Sequence, residues 1–129
     1  MSVKNVVFIF STMVIVSTLF FYGCRSSANK RSPDIVIEDV NLANVSDGTY
    51  EGEHTEGPVW AKVLVTVKDH AISDIEIVNH RTMMGKKAEA ITDDVIMEQS
   101  LRVDTVTGAT WSSKVILKAI EKALQSVES

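Results

Sequence analysis

Residues Val59 to Lys68 alternate without a break. Val59, Ala61, Val63, Val65 and Val67 fall on one side, and Trp60, Lys62, Leu64, Thr66 and Lys68 on the other. A period of two marks a strand with one face in the core. Ile72 to Val78 repeats the pattern, with Ile75 and Ile77 set against Asp74 and Glu76, and Asp69-His70 between the runs predicts a tight turn and an antiparallel hairpin. Upstream, the turn pair Asp47-Gly48 opens a short strand candidate at Thr49 to Glu51, followed by a polar stretch from Gly52 to Gly57. Downstream the period lengthens. Lys86 to Gln99 reads as a helix with Ala88, Ile91, Val95 and Ile96 inward and Asp93, Asp94 and Glu98 solvated. The last helix is the clearest element: Val115, Ile116, Ala119, Ile120, Ala123, Leu124 and Val127 form one apolar stripe. Lys114, Lys118, Glu121, Lys122 and Gln125 are expected on its solvent side. This order predicts an α+β fold, a small antiparallel sheet covered by two helices.

The first residues follow another rule. Val6 to Tyr22 is nearly all apolar, Lys4 precedes it, and Gly23-Cys24 ends it. A small residue before a Cys after an apolar core resembles a bacterial lipoprotein signal, in which Cys24 is lipidated. The other reading is an uncleaved anchor helix with a chance cysteine. Arg25 to Pro33 is polar and aperiodic, the mark of a flexible spacer. Ile35-Val36-Ile37 either adds a short strand or covers an apolar edge. The expected organisation is a signal or anchor at 1–24, a tether at 25–46 and a folded domain at 47–129, with no internal repeat. Arg25, Lys30 and Arg31 after the apolar run would resist export of an uncleaved anchor.

Composition narrows the function. The chain has 129 residues, 13 Lys+Arg and 17 Asp+Glu, for a net charge of -4. That length allows one compact domain, and the acidic balance argues against nucleic acid. With Cys24 the only cysteine, neither an internal disulfide nor a CxxC pair is possible. His54, His70 and His80 are dispersed and predict no metal site. There is no Ser-His-Asp set or carboxylate pair suited to hydrolysis.

The chemistry concentrates between the two helices, in Asp104-Thr105-Val106-Thr107-Gly108-Ala109-Thr110-Trp111-Ser112-Ser113-Lys114. Gly108 and Ala109 allow close approach of a ligand. Thr110, Ser112 and Ser113 gather hydroxyls where free amides and the helix dipole favour a phosphate. Asp104 adds a carboxylate that can order the loop. The plain alternative is that these hydroxyls only cap the helix. The segment is not a P-loop, because Val115 stands where a Ser or Thr would bind magnesium.

Asp-x-x-Thr-Gly-Ala-Thr, Asp104 to Thr110, resembles the flavinylation signature of the FMN-binding domain family, found in flavin-carrying subunits of ion-pumping NADH:quinone and ferredoxin oxidoreductases. Asp47 to Gly52, the Val59–Val78 hairpin, Gly85-Lys86-Lys87-Ala88, Gln99 to Asp104 and Trp111-Ser112-Ser113 also resemble its small single-domain version. His70 departs from the usual turn Gly, and Thr107 from a common Ser. The resemblance implies covalent FMN joined through its phosphate to Thr110 by an external flavin transferase, with Asp104, Thr107, Gly108, Ala109, Trp111, Ser112 and Ser113 around it. It also implies a redox carrier outside the cytoplasm, held at the membrane between a membrane or quinone-linked electron donor and an extracytoplasmic acceptor. Trp111 is expected either near the flavin ring or in the core. Lys86 and Lys87 either pair with the phosphate or are solvated helix ends, and Met83-Met84 either touch the flavin or cap the core. The competing function is a non-redox binding lipoprotein. A full reductase is disfavoured, since little chain remains for a substrate pocket.

Overall fold

The computed structural model describes residues 34–82 and 85–127. All belong to the unit Ser32–Ser129. The 1–24 segment, Cys24 and Met83-Met84 lie outside them. Three strands form an antiparallel meander in the order β1-β2-β3: β1 Gly48–Glu56, β2 Val59–Lys68 and β3 Ala71–Arg81. A 3₁₀ turn at Lys86–Ala90 leads into α1, Ile91–Glu98, and α2 spans Thr110–Gln125. The α+β arrangement matches the expectation.

The alternation of β2 is reproduced: Val59, Ala61, Val63, Val65 and Val67 are buried, and the intervening residues are more open. Its buried row meets Val115, Ile116, Ala119, Ile120, Ala123 and Leu124 of α2. Helix α2 lies across β1 and β2, and α1 lies against β3.

Several boundaries differ from the sequence reading. Strand β1 runs through the stretch read as polar, from Gly48 to Glu56. Its signal is faint because the inward positions include Gly52, which is buried with no side chain, and His54. A Cβ on Gly52 would stand 2.0 Å from the Ala119 carbonyl oxygen, so glycine is what lets α2 approach the sheet. The expected helix Lys86–Gln99 divides into a 3₁₀ turn and a short α-helix. Gln99 ends α1 in the left-handed region at φ 51. Its side-chain NH₂ donates to the carbonyls of Ile72 and Ile96, and its Oε1 accepts from Ile72 N–H, tying α1 to β3. The β2–β3 turn places Asp69 and His70 at φ 53 and 60. Both central residues of a type I′ turn need positive φ, a conformation that suits the right-handed twist of a hairpin. The Asp69 amide donates to Asp47, and a ring nitrogen of His70 stands 3.2 Å from the Val45 carbonyl.

Residues 34–47 lie along the domain. Ile35 and Ile37 pack against the core while Val36 is exposed, so this run covers an apolar edge and is no strand. Val45 is fully buried. Asp39 accepts from the Leu101 amide and the Ser100 hydroxyl. Burial acts to raise its pKa, but these bonds, one from the Val40 amide and the charge of Arg102 prevail and hold it below the usual carboxylate range. Glu121 is the clearest departure from the periodic reading, which placed it in solvent. It is 2% exposed, accepting from the Glu38 amide and from Lys118 Nζ at 2.7 Å.

His54 gives the fold a pH dependence. Lys122 Nζ donates to its Nδ1 at 3.0 Å, while Nε2 is buried without a hydrogen-bond partner among the described residues, 3.6 Å from Glu56. Burial and then the charge of Lys122 lower its pKa, aided by Lys118 and opposed by Glu56. The fold therefore favours neutral imidazole. Its contribution is complete above the ordinary histidine pKa of about 6.5 and is lost as pH falls toward the depressed folded value. Thermal melts from pH 8 to 5 should show a downward step below that point that shrinks in His54→Gln. An identical pH profile in the variant would refute this role.

Candidate functional site: the loop before helix α2

Leu101 carries the chain under the domain, 3% exposed, and the motif loop then climbs to α2. Ser113 holds the loop in place. Its hydroxyl accepts from the Val106 amide at 3.0 Å and donates to the Ala109 carbonyl at 2.8 Å. The Ala109 amide closes a turn onto the Val106 carbonyl. Gly108 sits at φ 77 within that turn, a conformation costly for other residues. Ser112, 3% exposed, pairs with the Thr82 hydroxyl at 3.0 Å, and Thr82 in turn accepts from the Gly85 amide at 2.7 Å. A Cβ on Gly85 would come within 2.1 Å of Ser112 Oγ, so this glycine is required for the junction of β3 with α2. Thr82 and Gly85 were not singled out by the motif. Gly85 enters the sequence reading only within the segment Gly85 to Ala88, and the contacts of both residues at Ser112 show their part in the site.

The capping alternative fails on this geometry. The N-cap of α2 is Ala109, with no side-chain hydrogen bond to the helix amides. Ser112 and Ser113 are engaged elsewhere. Thr110, the first residue of α2, is partly exposed, and its hydroxyl makes no hydrogen bond among the described residues. The first intrahelical bond is Ser113 N–H to Ala109, which leaves the preceding amides at the helix start without intrahelical acceptors. Lys87 completes the surroundings: its Nζ stands 2.8 Å from where a Gly108 Cβ would be, which puts an ammonium over the loop. Lys86 is exposed. Unengaged amides, a lysine and a reachable hydroxyl together suit a phosphate group at this helix start.

Asp104 is exposed and makes no hydrogen bond among the described residues; Ser113 orders the loop in its place. Asp104 borders a cavity of about 310 Å³ with Asp94, Met97, Glu98, Arg102 and Val103. Thr107, three residues further along the loop, is exposed. Trp111 is half-buried, with its ring 3.2 Å from where a Gly57 Cβ would be and its Nε1 buried without a partner among the described residues. The histidines stay apart. His80 pairs with Glu89 at 3.1 Å, and among the described residues no cluster of His, Cys, Asp or Glu is fit for a metal.

Fold and loop together define a small flavin-binding module. The family model described as FMN-binding domain matches residues 56–125, more than half of the chain, and the chain belongs to that family. The match takes in β2, β3, both helices and the whole motif loop. An uncharacterized protein of Treponema pallidum (strain Nichols) is 29% identical over 104 residues, covering 78% of this chain and 26% of that relative's length. No solved structure matches the chain.

Proposed function

We propose that this FMN-binding domain carries its FMN covalently, through a phosphoester bond to Thr110, and serves as an electron-transfer domain tethered to the outer face of a membrane. The observation that carries the attachment is the division of labour among the motif hydroxyls. Ser112 and Ser113 are buried and bonded, while Thr110 stands at the helix start with its hydroxyl unengaged. A threonine alcohol is a weak nucleophile, so a flavin transferase must activate it. Thr110 Oγ1 then forms the new P–O bond. Its proton passes to a base of the transferase, and the activated donor's leaving group departs with the electron pair of the P–O bond it gives up. The product diester keeps one negative charge, which the helix amides and Lys87 stabilise. Bound FMN supplies the redox chemistry, and the protein sets its exposure and electrostatics. Made with a flavin transferase and exported, the chain should show ultraviolet-fluorescent flavin after denaturing electrophoresis. A dark band at full expression would overturn the attachment.

Asp104 serves recognition by the transferase, since it is exposed at the mouth of the loop and holds no other residue in place. Asp104→Ala should reduce flavin occupancy at least tenfold with an unchanged apo-protein melt. Unchanged occupancy by intact mass would contradict that role.

The location rests on residues outside the described part. Gly23-Cys24 after the apolar run favours lipidation, and the family's transferase acts outside the cytoplasm. A lipoprotein's two acyl chains hold a domain stably where one would not. Among the described residues no helix is long and apolar enough to cross a membrane. Protease added to intact spheroplasts should remove the domain, and Cys24→Ser should abolish lipid labelling. Full protection from protease would reverse the assignment.

A further inference from the structure

Thr82 follows the last residue of β3 and joins three pieces of chain through one hydroxyl. Its Oγ1 accepts from the Gly85 N–H at 2.7 Å and pairs with Ser112 Oγ at 3.0 Å, where either hydroxyl can donate. Gly85 opens the 3₁₀ turn Lys86–Ala90, which carries Lys87. Ser112 lies in the first turn of α2, which carries Thr110. Lys87 and Thr110 are themselves neighbours. Lys87 Nζ stands 2.8 Å from where a Gly108 Cβ would be. Two residues of chain span at most about 7 Å, so this ammonium is close to Thr110 as well.

The start of α2 needs fixing from outside the helix. The first amides of a helix have no intrahelical acceptor, and helix ends fray. Ala109, at the N-cap, offers no side-chain bond, and the apolar stripe that seats α2 begins only at Val115. Ser113 holds the first turn from the loop, and Ser112 holds it from β3 through Thr82. At 3.6 residues per turn, Thr110 lies about 200° around the helix from Ser112. Ser112, held against Thr82, is 3% exposed, while Thr110 on the other side is partly exposed. The 3₁₀ turn has a second tie to β3, from His80 Nδ1 to Glu89 at 3.1 Å. Loss of the Thr82 hydroxyl would therefore loosen the junction without releasing the turn.

We infer that Thr82 is a positioning residue for flavin attachment, whose hydroxyl fixes the acceptor Thr110 and the cation Lys87 relative to each other. This inference rests on the attachment to Thr110. Thr82 touches no reacting atom; Thr110 Oγ1 forms the P–O bond, and Lys87 meets the negative charge of the phosphate. Transfer between positioned groups is sensitive to displacements of about 1 Å, which is the kind of shift a loosened first turn allows. Valine at position 82 keeps the shape of threonine and removes both hydrogen bonds, and serine keeps both.

The test follows covalent flavin on the full chain by mass after a flavin transferase is induced in the exporting host. Wild type, Thr82→Val, Thr82→Ser, Ser112→Ala and Val67→Ala are compared at a temperature where each is folded. Thr82→Val should slow the initial rate about tenfold, and Thr82→Ser should stay within about twofold of wild type. Ser112→Ala should also be slow, and combining it with Thr82→Val should add nothing, because both remove the same contact. Val67→Ala, buried at the far end of β2, should lower Tm and leave the rate unchanged. With FMN mapped to Thr110 in the wild type, any of three results would overturn the role of Thr82 and leave the attachment standing. They are Thr82→Val at the wild-type rate, Thr82→Ser as slow as Thr82→Val, and Val67→Ala as slow as Thr82→Val. Wild-type protein without FMN on Thr110 would overturn both.

Discussion

Thr110→Ala is expected to carry no covalent flavin while folding as the wild type does. Both the loss of flavin and the retained fold follow from the loop geometry. Loss should be complete because the neighbouring hydroxyls cannot substitute. Ser113 is fully buried, bridging Val106 and Ala109, and Ser112 is locked against Thr82. Thr107 is reachable, but it lies on the loop and not at the helix start. Folding should be unaffected because the Thr110 side chain is partly exposed and its hydroxyl bonds to no described residue. Alanine is also the better helix former, so apo-stability should stay within about 0.5 kcal/mol. In-gel flavin fluorescence and a thermal melt measure the two outcomes. Residual flavin in Thr110→Ala would place the acceptor elsewhere, and a collapsed melt would make Thr110 structural.

Gly52→Ala should be the most damaging small substitution in the sheet. The added Cβ would stand 2.0 Å from the Ala119 oxygen and 2.6 Å from the Ala123 nitrogen. Both are backbone atoms of α2, and neither can rotate aside. The helix must lift from β1, opening the packing of Ala119 and Ala123. A loss of about 3 kcal/mol is expected, which for a domain of this size lowers Tm by roughly 10–20 °C. Glu53→Ala, at the exposed neighbouring position, should change stability by less than about 0.5 kcal/mol. Equal melts for the two variants would mean that α2 is not seated on β1 in this way.

The parts of the fold legible in the sequence were those where burial and periodicity coincide. Strand β2 alternates because one of its faces meets α2 and the other does not. The stripe of α2 is equally plain. Strand β1 is longer than its sequence pattern suggests because its key inward residue is a glycine, which carries no hydropathy signal but sets the helix–sheet distance. Glu121 lies off the apolar stripe and is buried all the same, because the segment from Asp34 to Asp47 lies along that side, which a helix wheel does not show. Its burial depends on the distant Glu38 amide, beyond the reach of any local pattern. The motif was legible as a spacing, but not its internal division. Residue type and spacing present Thr110, Ser112 and Ser113 alike as hydroxyls at a helix start, and only the family resemblance points to Thr110. Tertiary contacts with Thr82, Val106 and Ala109 set two of them apart and leave Thr110.

Intact mass followed by peptide mapping shows whether a flavin is joined to one particular hydroxyl. The protein should be made with an active flavin transferase and exported. One FMN per chain is expected, carried as a phosphodiester on Thr110, with Thr107, Ser112 and Ser113 unmodified. A chain of unmodified mass under conditions that flavinylate another member of the family, or FMN mapped to a different residue, would contradict it.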